Sequence, residues 1–140
     1  MVGENVIFYE YLPQKPMYST TFYLLLLISL IERNPVSAQL LGKEEKGKAS
    51  FYAQMFNGRK TSLGESFNQQ EYTAAHRSLP FNTMVEVTNV SNKRSVIVRI
   101  TDRGPYHRSR LIDLTRAAAQ YLGIIGAGVA NVHLRVVGME

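Results

Sequence analysis

The stretch Val98-Arg99-Ile100-Thr101-Asp102-Arg103-Gly104-Pro105 constrains this chain more than any other. Ser95 to Ile100 reads as a β-strand that places Val96, Val98 and Ile100 on one face. Asp102-Arg103-Gly104-Pro105 must end that strand, because proline has no ladder donor and glycine admits positive φ. A carboxylate is thereby fixed at the mouth of a strand, beside a guanidinium. Two readings stand at this point: a catalytic acid presented to an open groove, or an aspartate that caps its own turn amides.

The rest of the chain fixes the kind of domain that carries this turn. At 140 residues the chain can build one domain with a real core. It has no cysteine, which excludes a disulfide framework, thiolate metal ligands and a lipid-modified N-terminal cysteine. The apolar run Phe22 to Ile31, the break Glu32-Arg33-Asn34-Pro35 and the small residues of Val36-Ser37-Ala38 describe a signal peptide, so residues 1–38 are read as an N-terminal extension and leader. The uncharged stretch is short of the roughly 20 residues that span a bilayer, although an uncleaved anchor is the alternative. Residues 39–46, with Lys43-Glu44-Glu45-Lys46, read as a solvated linker. Cleavage after Ala38 would remove Lys15 and Arg33 against Glu4, Glu10 and Glu32, raising the net charge from +5 to +6, so the basic character belongs to the folded part. A basic surface suits an acidic polymer such as a wall glycan, a nucleic acid or an anionic membrane, and an exported protein disfavours the nucleic acid.

That folded part, residues 47–138, reads as mainly β. Lys48 to Ala53 is a candidate strand. Thr83 to Asn89 alternates, with Val85 and Val87 opposite Glu86 and Thr88, and Ser91-Asn92-Lys93 turns it into the Ser95–Ile100 strand. Val129 to Val137 alternates again, with Val132, Leu134 and Val136 inward. Thr115, Arg116 to Leu122 and Gly123 read as an N-cap, one short alanine-rich helix and a glycine stop. Short strands, turns and a single helix predict a small closed barrel.

At this point the residues carry a resemblance. Gly47-Lys-Ala-Ser-Phe-Tyr52, Thr61-Ser-Leu-Gly-Glu65-Ser-Phe67 and Thr73-Ala-Ala-His76-Arg-Ser-Leu-Pro80-Phe81 resemble the rare lipoprotein A (RlpA) family. So do Val85-Glu-Val-Thr-Asn89, Asp102-Arg-Gly-Pro105 and Arg110-Leu-Ile-Asp113-Leu-Thr-Arg-Ala-Ala-Ala119. The resemblance implies a six-stranded double-psi β-barrel related to expansin and barwin domains. It implies an endolytic lytic transglycosylase that cuts the MurNAc–GlcNAc β-1,4 bond of peptidoglycan and closes a 1,6-anhydro ring. The alternative is an expansin-like domain that binds wall polysaccharide without cleaving it. The implied partners are peptidoglycan glycan strands, with cell-division or wall-synthesis proteins as further candidates and no nucleic acid. The implied location is periplasmic or extracellular. Family members often begin as lipoproteins and many end in a SPOR domain; neither is expected here. Asn82 stands where the family usually has glycine, and asparagine tolerates positive φ.

Chemistry assigns candidate roles. Glycosidic cleavage needs a proton delivered to the leaving oxygen. A lytic transglycosylase uses the sugar's own hydroxyl as nucleophile, so one residue can act as acid and then as base. Asp102 is the first choice, and the resemblance implies Glu65 as a second acidic group and His76 as a residue that orients a carboxylate or meets the sugar. The candidate substrate contacts are Tyr52, Thr61, Asn89, Arg103, Arg110 and Asp113, with Arg108 another guanidinium for wall carboxylates. Each has a plainer reading: Glu65 as a solvated loop carboxylate, His76 as a structural histidine, Tyr52 and Phe51 as barrel filling, the arginines as basic surface, and Asp113 as a charge stabilising the helix start before Thr115. His76, His107 and His133 show no metal-ligand spacing, so no metal and no cofactor are expected. Cleavage between Ala38 and Gln39 is checked by N-terminal sequencing of the exported protein; a mature chain still starting at Met1 or Met17 would mean an anchor instead.

Overall fold

The structure, a computed structural model, describes residues 35–140. The leader read over residues 1–38 lies almost wholly outside them; its expected cleavage point falls within a short helix, α1 (Pro35–Leu40). The strands are β1 (Glu44–Phe51), β2 (Thr73–His76), β3 (Thr83–Asn89), β4 (Ser95–Asp102), β5 (Ile112–Leu114) and β6 (Ala130–Met139), with a second helix, α2 (Arg116–Leu122), between β5 and β6. They close into a barrel in the order β1-β5-β2-β4-β3-β6. Two pairings in the ring, β1 with β5 and β2 with β4, are parallel, and the other four are antiparallel. This is the six-stranded barrel expected from the sequence, with two short helices rather than one.

The alternating stretches fold as their period dictates. In β3, Val85 and Val87 are buried while Met84, Glu86 and Thr88 are partly exposed. Val96, Val98 and Ile100 of β4 and Val132, Leu134 and Val136 of β6 face the same core. That core also takes Ala118, Ala119 and Leu122, which seat α2 against the barrel. β1 begins at Glu44, inside the stretch read as a solvated linker. Its first half exposes alternate residues, yet Glu44 to Ala49 pair in register with Arg135 to Ala130. An edge that closes a barrel is held by its ladder bonds even where its side chains are charged.

The departure that matters lies between β2 and β4. Ala74 pairs with Ile100 but Ala75 pairs with Asp102, so Thr101 is an extra residue in β4. On an unbroken two-residue period Asp102 would follow Val96, Val98 and Ile100 into the core. The bulge buries Thr101 to 3% exposure and turns Asp102 outward instead.

Helix α2 stops at Gly123 as the sequence suggested, but the Thr115 side chain does not cap its start. The Thr115 hydroxyl donates to the Glu71 carbonyl, and the Gln69 side-chain oxygen accepts the Arg116 N–H at 2.7 Å. At the other end Gly123 is left-handed (φ 75°), and the amides of Asn89 and Asn92 donate to the Leu122 carbonyl at 3.2 and 3.0 Å. A Cβ on Gly123 would lie 2.8 Å from the Asn92 amide nitrogen, whereas one on Gly128, also at φ 75°, would meet open space. Gly128→Ala should therefore lose only the left-handed cost of about 1–2 kcal/mol, and Gly123→Ala more, because the Asn92 cap must also move. Chemical denaturation of the two variants side by side checks that order.

Candidate functional site

The end of β4 opens onto a cavity of about 610 Å³. Its floor and walls come from the end of β1, the turn at Gln54–Phe56, the loop at Arg59 and Lys60, the segment following Asp102, and the start of β5. Two carboxylates, Asp102 and Asp113, line it, together with Tyr52, Tyr106, Arg103 and Arg110.

Asp102 is held by four donors. Its Oδ1 accepts from the Ser62 amide at 2.9 Å, the Ser62 hydroxyl at 2.5 Å and the Arg103 amide at 2.8 Å. Its Oδ2 accepts from the Tyr52 hydroxyl at 2.9 Å. Partial burial pushes the carboxyl pKa up, but the Ser62, Arg103 and Tyr52 donors outweigh it, and the net shift is downward from 3.8. The free protein therefore presents a carboxylate, with Oδ1 saturated and Oδ2 the oxygen left with capacity. Burial, and next the charge of Asp102, push the Tyr52 hydroxyl far above the ordinary phenol range, so it stays a proton donor to Asp102. The Tyr52 ring packs on Phe67 at 4.6 Å and edge-on to Phe56 at 5.9 Å. The Tyr52 ring thus lines the cavity wall while its hydroxyl meets Asp102.

Asp113 does not serve the helix start. It lies within β5, one strand from Tyr52, and accepts from the Ser50 hydroxyl at 2.5 Å, while Arg110 donates to Ser50 at 2.8 Å and stands 3.7 Å from Asp113. The parallel register that sets Ser50 opposite Asp113 builds this cluster. The second carboxylate of the cavity is thus Asp113.

The structure separates Glu65, His76, Asn89, Thr61 and Arg108 from this cavity, and Arg103 lines it with its guanidinium engaged elsewhere. Glu65 makes a two-pronged pair with Arg99 at 2.8 and 3.0 Å. Its pKa is lowered, first by the hydrogen bonds from Arg99. Arg99 also reaches Asn82 at 3.0 Å and Glu140 at 3.0 Å, so it gathers three chain segments. Asn82 adopts φ 65°, as an asparagine in place of glycine permits. His76 is 2% exposed; its Nδ1 accepts the Ser78 and Leu79 amides at 3.3 and 3.1 Å, which fixes its proton on Nε2. Nε2 stands 3.5 Å from Glu45 and makes no hydrogen bond among the described residues. Asn89 caps a turn by accepting the Ser91 amide and serves the C-terminus of α2, away from the cavity lining. Thr61 is 8% exposed and closes the 61–65 turn through its backbone. Arg103 lines the cavity, but its guanidinium lies 3.8 Å over the Phe81 ring and donates to the carbonyls of His76 and Leu79. Arg108 is exposed.

Three contributors escaped the sequence reading. Ser62, the main donor to Asp102, stands among ordinary loop residues. Gln69, 4% exposed, donates to the carbonyls of Tyr52 and Ala53, takes the Asn57 side-chain oxygen on its backbone amide and accepts from Arg116. Arg77 donates to the carbonyls of Pro105, His107, Arg108 and Arg110. Nothing local marks them, since their partners lie 12 to 47 residues away in sequence.

Barrel and cavity together define a double-psi β-barrel whose groove is floored by carboxylates. A family model described as lytic transglycolase matches residues 44–134, and the chain belongs to that family. It is 45% identical over 127 residues to the endolytic peptidoglycan transglycosylase RlpA of Pasteurella multocida, covering 91% of this chain and 42% of that protein. It is 58% identical over 95 residues to the probable endolytic peptidoglycan transglycosylase RlpA of a Nostoc species, covering 66% of this chain and 26% of the relative. The chain therefore spans less than half the length of these curated relatives. Among solved structures, the Streptomyces papain inhibitor superposes with a TM-score of 0.57 at 22% identity, over 69% of this chain and 96% of that one. An expansin of Clavibacter michiganensis in complex with cellohexaose gives 0.56 at 17% identity, over 68% and 50%. These last two likenesses show the fold.

His76 yields a stability test. Burial, its largest influence, lowers its pKa below 6.5 against the pull of Glu45. A folded pKa below the unfolded one means that the unfolded chain takes up the proton first. The stabilisation is complete above about pH 6.5 and is lost as pH falls through the folded value. Denaturant unfolding between pH 5 and 8 should show wild-type stability declining on the acid side, and His76→Gln, less stable throughout, should show a flatter profile.

Proposed function

We propose that this protein is an exported endolytic lytic transglycosylase that cleaves the MurNAc–GlcNAc β-1,4 bond of peptidoglycan and leaves a 1,6-anhydro-MurNAc end. The observation that carries the reading is Asp102, turned out of the barrel by the bulge and held by Tyr52 and Ser62 at the edge of an open groove. The family match and the relatives named as peptidoglycan transglycosylases supply the substrate. Residues 1–38 act as the leader, and the barrel domain acts in the periplasm or outside the cell.

The chemistry follows from the two oxygens. Oδ1 is filled by three donors, so the proton is exchanged at Oδ2, beside Tyr52. In open solvent Asp102 is a carboxylate. A glycan strand laid over the groove removes water, and desolvation, already the largest influence on this group, raises its pKa toward the range of a general acid. Protonation of the glycosidic oxygen from Oδ2 leaves a carboxylate, which accepts the proton of the C6 hydroxyl as that oxygen attacks C1 and closes the anhydro ring. No water is consumed. Asp113, tied to Ser50 and Arg110, sets a second negative charge in the groove that favours the cationic transition state of the sugar. Glu65 acts at one remove by holding Arg99, the β4 residue three before Asp102. The contact of His76 with Glu45 ties β2, the parallel partner of the bulged strand β4, to β1.

Asp102→Asn is the decisive variant. The amide nitrogen cannot accept from Tyr52, so about 1 kcal/mol of stability should be lost. Release of anhydro-muropeptides from purified sacculi, read by mass spectrometry, should fall roughly a hundredfold to ten-thousandfold per folded molecule, while sacculus binding persists. Glu65→Gln should lose less. Near-normal release by Asp102→Asn would remove Asp102 from the chemistry, and an inactive Glu65→Gln beside it would move the acid there. Binding to sacculi by the wild-type protein with no anhydro product would favour the expansin-like reading, in which the same groove holds glycan without cutting it.

A further inference from the structure

The groove carries one side chain that neither packing nor the acid chemistry explains. Tyr106 is 89% exposed, the most exposed of the large hydrophobic residues described. An aromatic ring left in water forgoes the burial that usually accounts for its presence. Its backbone, by contrast, is tightly held. The Arg77 guanidinium donates to the Pro105 carbonyl at 2.8 Å and the His107 carbonyl at 2.9 Å, the residues on either side of Tyr106, and to the carbonyls of Arg108 and Arg110 beyond. The ring lies near Gly104, where an added Cβ would come within 3.8 Å of its Cε2. It lines the same cavity as Asp102 and Asp113. Phe56, 37% exposed, lines the same cavity, with the Arg59 guanidinium 5.3 Å above its ring.

A fixed backbone bearing a solvated ring beside a groove is a preorganised contact waiting for a flat apolar surface. The C–H face of a pyranose is such a surface, and its hydroxyls can stay wet at the edges of the ring. We propose that Tyr106 is a sugar-stacking platform of this groove, that Arg77 positions it, and that its ligand is a pyranose unit of the glycan strand lying next to the residue at Asp102. The inference rests on the glycan-cleaving reading above for the identity of the strand. The stacking itself requires only a carbohydrate in the groove.

The sequence offers an unusually clean reporter, because the chain contains no tryptophan. Tyr106→Trp places a single indole at the platform of the full-length protein, and Asp102→Asn in the same chain stops turnover during titration. The probes are amidase-stripped peptidoglycan strands and cellohexaose. With stripped strands the Tyr106→Trp indole should shift its emission and become shielded from acrylamide quenching as binding saturates. Tyr106→Ala should weaken strand binding about tenfold, the scale of one aromatic contact, with unchanged melting because the ring supports nothing. Arg77→Lys, introduced beside Tyr106→Trp, should reduce the shielding, since an ammonium cannot span four carbonyls. Strands that bind at saturation without altering emission or quenching would overturn the platform while leaving the cleavage reading intact. A response to cellohexaose but none to peptidoglycan strands, with no cleavage of sacculi by the wild type, would keep the platform and overturn the peptidoglycan reading.

Discussion

The groove depends on one extra residue in one strand. Between Ala74 and Ala75 the parallel ladder of β2 and β4 slips past Thr101, and every later side chain of β4 changes face. Without that slip the carboxylate of Asp102 would point among Val98, Ile100 and their neighbours, where an ionised group is prohibitively costly. With it, the strand keeps its apolar face up to Ile100 and delivers a charge to the surface immediately afterwards. The loop carrying Ser62, the hydroxyl of Tyr52 and the turn at Arg103 then assemble around that charge. A barrel wall and an acidic groove are thus made by the same eight residues.

The long alternating strands were legible because a half-buried strand writes its two faces into a period of two. Val85 and Val87, or Val132 and Leu134, needed no further information. β2 and β5 were not legible from periodicity. Thr73 to His76 are all buried, so no polar face alternates with an apolar one, and Ile112 to Leu114 is too short to show a period. β1 was read late by four residues, because the charges of Glu44, Glu45 and Lys46 look like a solvated segment until β6 is seen beside them.

The site divides along the same line. Asp102 could be found because a strand, a charge and a turn follow one another in the chain. Its partners could not, since Ser62 and Tyr52 reach it from 40 and 50 residues away. Of the two readings of Asp113, the charge at the helix start is the one that fails, because the register of β1 against β5 gives it to Ser50. Glu65, His76 and Asn89 hold the frame through Arg99, the 76–79 turn and the end of α2. The family motif is therefore broader than the cavity: it records the groove and the braces that shape it.

Gln69 gives the groove a different kind of robustness. Its uncharged amide joins the carbonyls at the end of β1 to the first N–H of α2. Salt screens ion pairs such as Glu65 with Arg99, and acid titrates Asp102, but neither acts on an amide that has no charge to screen and no proton to gain in that range. The floor under Tyr52 is thereby insulated from the ionic strength and acidity of its surroundings, while the walls remain open to both. Such a division lets the groove change its charge without losing its shape.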